Sequence, residues 1–230
     1  MSGVFCVNLS AVRTFRSRVI EWYALHGDHW LPWRLRSDGW SILVAGVLLR
    51  NTTVKQVLRV YSELIEKYPS PAAMASASVE EVRELIRPLG MQYTRAPLLI
   101  ELARTITTRY SGVVPCSLEE LLSLPGVGEY TASEVLLAAC GQPVPLIDRN
   151  FVRVVYRVLG VKPSKSNPYR DPEYYTLARS LVPRDVEGAK MFNYGVFDFA
   201  RKVCKPRSPE CHSCALRDIC VKGCADTVRA

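Results

Sequence analysis

Apolar residues along most of this chain recur three and four positions apart rather than in alternation, a spacing that predicts helices. The segments 12–25, 42–68, 79–89, 98–110, 118–122 and 131–140 all carry it. Start and stop signals agree. Ser78 with Glu81 and Ser117 with Glu120 fit the capping-box pattern, and Gly90 and Gly160 stand where helices should end. Prolines at 69, 71, 115, 143, 145, 163, 168 and 172 punctuate the joins. Residues 85–94 and 121–130 share a helix, glycine turn, helix pattern. No stretch sustains the alternation a sheet needs, so the predicted class is all-α.

Composition narrows this picture. With 230 residues, the chain can bury one large core or two small ones. A hydrophobic content of 48% with 23% charged residues excludes wholesale disorder. The longest apolar runs, 42–49 and 135–140, fall far short of the roughly 20 residues that span a bilayer, so no membrane partner is expected. Residues 1–11 lack a charged region ahead of an apolar one, so no signal peptide and a cytoplasmic location are expected. Thirty Lys and Arg against 22 Asp and Glu leave a net charge of +8, which favours a polyanionic partner such as nucleic acid. Of eight cysteines, Cys6, Cys116, Cys140 and Cys224 fit no pattern, and without a secretory signal disulfides are not expected. The other four crowd into 204–220 and point to a metal.

Three motifs carry chemistry. Leu124-Pro125-Gly126-Val127-Gly128 lies between two short helices. Its glycines allow a tight turn that exposes backbone N–H groups at a helix N-terminus, a fit for one phosphate. A plain helix connector needs the same glycines. Cys204, Cys211, Cys214 and Cys220 offer four thiolates in a C-x6-C-x2-C-x5-C spacing. Zinc sites more often pair two C-x2-C knuckles, so the single knuckle with wide arms favours [4Fe–4S], with zinc as the alternative. Asp148 follows an apolar run at the start of an amphipathic helix, where it or Asn150 could simply be an N-cap. Arg149, Arg153 and Arg157 then form a basic stripe that either follows a phosphate backbone or is solvated.

Taken in this order, the three motifs resemble the helix–hairpin–helix superfamily of DNA base-excision glycosylases, of the endonuclease III and MutY type. The resemblance runs from Leu31-Pro32-Trp33-Arg34 through the cysteine loop. The segments 48–53, 126–131 and 147–154 most resemble archaeal thymine–guanine mismatch glycosylases, and 193–199 fits the stretch preceding the family's cluster. The resemblance implies two helical domains with a DNA-binding cleft between them. A six-helix barrel with the hairpin would span 35–142, and 1–34 with 143–230 would form the domain bearing the [4Fe–4S] loop, 204–220. It further implies that Gly126, Val127 and Gly128 hold a phosphate. Arg50 and Asn51 would fill the gap left by a flipped base, and Met91 and Gln92 would wedge beside the orphaned guanine.

The same resemblance makes Asp148 the catalytic carboxylate, stabilising positive charge on the sugar as the N-glycosidic bond breaks. Tyr130 stands where bifunctional members carry a lysine that forms a Schiff base. A phenol cannot do this, so a monofunctional glycosylase is expected, with Tyr130 contacting the base. The implied partner is double-stranded DNA with a mismatch, bound by a monomer. One rival is a MutY-like adenine glycosylase acting on A·G or A·8-oxoguanine. Such enzymes use a Glu where this chain has Gly46, and the mismatch glycosylases often carry Glu there too. The other rival is a non-catalytic, metal-stabilised DNA-binding protein.

Overall fold

The computed structural model of the protein describes residues 9–223. Cys6, Cys224 and most of the N-terminal stretch read for a signal lie outside that range. Among the described residues there are twelve α-helices and no strand, as the spacing predicts. In chain order they are α1 (Leu9–His26), α2 (Gly39–Leu49), α3 (Val54–Val57), α4 (Tyr61–Lys67), α5 (Pro71–Ala75) and α6 (Val79–Ile86). There follow α7 (Gln92–Arg109), α8 (Leu118–Leu122), α9 (Glu129–Ala138), α10 (Arg149–Leu159), α11 (Pro172–Leu181) and α12 (Val186–Lys202). The chain divides into two compact units, 29–142 and 1–28 with 143–230. No described helix is long and apolar enough to cross a membrane.

Within 29–142, α2 and α9 form the centre. Every residue of α2 from Trp40 to Leu48 is buried, and so is every residue of α9 from Thr131 to Ala138. Helices buried on every side sit at the centre of a core. They approach closely because Gly46 has no side chain, and a Cβ there would lie 2.5 Å from Thr131 Cγ2. The single helix expected over 42–68 is instead three, α2, α3 and α4. Asn51 turns into the left-handed region at φ +53, and Thr53 with Gln56 builds a capping box that starts α3. The apolar spacing runs on across these breaks, which hides them. By contrast, the Ser78–Glu81 box forms as expected, with Glu81 N–H donating to Ser78 Oγ at 3.2 Å. Ser117 occupies the N-cap position of α8 but its side chain makes no capping bond. Helix α7 starts six residues before the predicted 98, because Arg95 puts a charge on its buried face and masks the pattern there.

Cys116 and Cys140 form a disulfide, with Cα atoms 5.7 Å apart at a sequence separation of 24. The expectation of no disulfides therefore fails. The pairing arises because the chain folds back through α8 and α9, a proximity invisible in cysteine spacing.

In the other unit, α1 packs along α12. Phe15 meets Phe192 edge-on at 5.7 Å and Trp22 meets Phe199 at 5.1 Å. Helix α10 also packs on α12. Apolar spacing does not announce α12, because Asn193 and Asp198 lie on its buried face. Asn193 has a positional job. Its Oδ1 accepts from Leu146 N–H at 2.8 Å and its Nδ2 donates to Val144 O at 3.0 Å, fixing the segment that leads into α10.

Candidate active site and nucleic-acid interface

The hairpin is built as its sequence predicts. Gly126 adopts φ +73, and a Cβ there would strike Leu98 at 2.7 Å, so glycine is required for both conformation and space. Gly128 is the N-cap of α9 and faces open space, with nothing within 4 Å of a Cβ position. The N–H groups of Gly126 and Gly128 meet no acceptor among the described residues. These donors stand at the positive end of a ten-residue helix, an arrangement suited to an anion. The arm anchored in the core is α9; α8 buries only Leu121, and the disulfide ties its beginning to the end of α9.

Arg50, Asn51, Met91 and Gln92 fall on two loops that the structure brings together. Arg50 is the C-cap of α2 and donates through Nη1 to Gly126 O at 3.2 Å, so its loop also touches the hairpin. Asn51 is exposed at φ +53, and Met91 is 47% exposed at φ +52 as the N-cap of α7. Gln92 is half-buried. Non-glycine residues in the left-handed region carry a conformational cost that functional sites tend to retain. Arg95, which the sequence reading missed, joins the loops. It is 4% exposed and donates through Nη1 to Gly90 O at 3.2 Å. Its Nη2 donates to Arg50 O and to Thr52 Oγ1. The signal was a cation set among the apolar positions of α7.

Tyr130, the second residue of α9, is half-exposed. One turn further, Glu134 is buried, and its Oε2 has no hydrogen-bond partner. Burial pushes its carboxyl up to about 7, with Arg34 opposing only in part. At neutral pH this group is therefore poised between acid and anion. An acid directly ahead of the apolar run Val135–Ala138 was the clue the sequence offered. At Gly46, Thr131 leaves no room for a glutamate unless it moves.

Asp148 is the N-cap of α10. Its Oδ1 accepts from the N–H groups of Asn150 at 2.9 Å and Phe151 at 2.8 Å, and Asn150 Nδ2 donates to Oδ2 at 2.6 Å. Burial raises its pKa, against the lowering effect of these donors and of Arg153. The capping role is thus real, and it also locks the carboxylate in one orientation. A group held this firmly loses little freedom when charge develops beside it. Asn150 is therefore a partner of the carboxylate rather than the cap.

Of the basic stripe on α10, Arg149 is exposed, whereas Arg153 and Arg157 are taken up by backbone carbonyls. Arg153 donates to Cys204 O at 3.0 Å and Ala200 O at 3.1 Å, while Arg157 donates to Lys205 O at 2.7 Å and Pro206 O at 3.1 Å. Two guanidinium groups thereby satisfy carbonyls at and beyond the end of α12 and fasten the cysteine loop. Arg157 also lies 3.5 Å from Cys204 Sγ, and Leu216 N–H donates to Cys214 Sγ at 3.4 Å. None of Cys204, Cys211, Cys214 and Cys220 is in a disulfide; Cys204 is buried and the others half-buried. Among the described residues no three His, Cys, Asp or Glu side chains form a ready metal-ligand group. Of the surrounding cations, Arg201 and Lys202 pair with Asp28, and Lys205 with Glu210. Arg207 and Arg217 stay exposed, and Lys222 lies over the Tyr156 ring at 5.0 Å beside Lys162 at 4.1 Å.

Comparison with known proteins places this geometry. The thymine-DNA glycosylase of Aeropyrum pernix is 57% identical over 210 residues, covering 91% of this chain and 94% of its own. The thymine/uracil-DNA glycosylase of Pyrobaculum aerophilum is 54% identical over 208 residues, covering 90% of each. The solved structure of a thermostable thymine-DNA glycosylase superposes with a TM-score of 0.85 at 32% identity, over 93% of this chain and 96% of that one. Residues 44–173 match the HhH-GPD superfamily model, and this range takes in α2, the paired loops, the hairpin and Asp148. The chain belongs to the HhH-GPD superfamily of base excision DNA repair proteins.

Proposed function

We propose that this chain is a monofunctional DNA glycosylase that hydrolyses the N-glycosidic bond of thymine, and of uracil, mispaired with guanine, leaving an abasic site. The observation that carries this reading is its identity of 57% and 54%, over nearly full length, to enzymes named for those bases. Asp148 supplies the chemistry. Ionised and held by Asn150 and Phe151, it stabilises the positive charge that grows on the sugar and orients water towards it. Tyr130 contacts the base. A phenol has no amine nitrogen and makes no Schiff base, so the strand is left intact. A monomer acts on the mismatched duplex, with the Gly126–Gly128 turn on a phosphate, Arg50 and Asn51 in the vacated gap, and Met91 and Gln92 beside the widowed guanine.

The test is single-turnover incubation with end-labelled duplexes bearing T·G, U·G, A·G and A·8-oxoguanine, each split into alkali-treated and untreated halves. Excision at T·G and U·G, with breaks only after alkali, is the expected result. Breaks without alkali, or a product trapped by borohydride, would overturn the monofunctional assignment. Cleavage of the adenine duplexes alone would transfer it to adenine removal.

We further propose that Cys204, Cys211, Cys214 and Cys220 hold a [4Fe–4S] cluster. The donor set supports this: four unbridged thiols in one loop, with Arg157 and the Leu216 N–H directed at sulfur. When bound, such a cluster cross-links the loop and adds no step to glycosidic hydrolysis. The purified protein is expected to be brown, with about four iron atoms per chain. A colourless protein carrying one zinc would replace this assignment with zinc.

A further inference from the structure

We propose that Arg95 is a positioning residue for base excision, a clamp that sets the two DNA-facing loops in register with one another. This rests on reading those loops as the ones that enter the duplex. The geometry is specific. One buried guanidinium spans from Gly90 O, just before Met91, to Arg50 O and Thr52 Oγ1, which flank Asn51. Asn51 and Met91 are both exposed, and both are held at positive φ, a conformation that surrounding contacts must enforce. Arg95 has no carboxylate partner among the described residues, so its charge is satisfied by these loop oxygens alone. Burial lowers its pKa, with Arg50 adding to the effect, yet it remains a cation at any working pH. A planar fork of donors suits this bridge, whereas an ammonium cannot reach all three acceptors in fixed directions.

The clamp acts through the loops, so its removal and theirs should not compound. The experiment compares the full-length protein with Arg95→Met, Arg95→Lys, the pair Asn51→Ala/Met91→Ala, and the triple Arg95→Met/Asn51→Ala/Met91→Ala. Each is assayed for single-turnover excision at a T·G duplex, with a thermal midpoint recorded alongside. Arg95→Met and Arg95→Lys are expected to slow excision by about tenfold to a hundredfold, the scale of misplaced positioning groups. The triple variant is expected to be no slower than the loop pair. If the loop pair is slowed while both Arg95 variants excise at the parent rate, the clamp is overturned and the loop reading stands. Losses that multiply in the triple variant also overturn the clamp. A loop pair that excises at the parent rate overturns the reading of the loops beneath it. Should Arg95→Met fail to fold, Arg95→Lys and its combination with the loop pair give the same decision.

Discussion

Replacing Asp148 by Asn is expected to slow single-turnover excision of thymine by roughly a thousandfold while fold and duplex affinity stay within a few-fold of the parent. The separation is possible because the proposed mechanism gives Asp148 two jobs. As an N-cap it offers Oδ1 to the N–H groups of Asn150 and Phe151, and an asparagine carbonyl can do the same. As a carboxylate it offers a negative charge beside the developing cation, and asparagine offers none. Asp148→Ala removes both roles and should additionally cost about 1 kcal/mol of stability for the lost cap. In the proposed mechanism the ionised form is the working one. Burial raises the carboxyl's pKa, so the acid limb of the activity profile should lie above the usual aspartate range. Urea midpoints, duplex affinity by fluorescence anisotropy, and rates from acid to neutral pH decide the matter. If the Asn variant loses binding or folding in proportion to activity, Asp148 is a cap and nothing more.

Glu134→Gln is expected to stabilise the protein at pH 8 and to leave it nearly unchanged at pH 4.5. The folded carboxyl titrates near 7 because burial disfavours its charge, against 4.5 for the free group. Folding thus binds a proton between those values. Stability is greatest below 4.5, declines as pH rises through the interval, and levels off above 7. The shift corresponds to about 3 kcal/mol at alkaline pH, an upper figure because a buried anion can draw in water or move towards Arg34. Glutamine imitates the neutral acid and abolishes the slope. Guanidinium midpoints of parent and variant at the two pH values provide the check; equal differences at both would mean that Glu134 is ionised throughout.

Much of this was legible in the chain itself. The all-α class follows from apolar spacing, and the hairpin turn from Gly126 and Gly128, whereas the close approach of Gly126 to Leu98 is not a local property. Asp148 as a cap is also local, since both of its backbone donors lie within three residues. What escaped the sequence is polarity placed against its pattern. Arg95, Glu134, Asn193 and Asp198 all sit on buried faces, where periodicity expects apolar residues. Each makes sense only once distant backbone supplies its partners, or fails to. The stripe of Arg153 and Arg157 was misleading for the same reason. Spacing shows that two cations share a face, but not that carbonyls at the end of α12 already occupy them.

The bond between Cys116 and Cys140 makes residues 116–140 a covalent ring with the hairpin at its far side. Closing a loop of this size removes conformations chiefly from the unfolded chain, favouring the folded ring by about 3 kcal/mol. Fluctuations that loosen the short, poorly anchored α8 therefore cannot carry it away from α9. A protease cut anywhere inside the ring would break the chain yet leave both helices of the hairpin on one molecule.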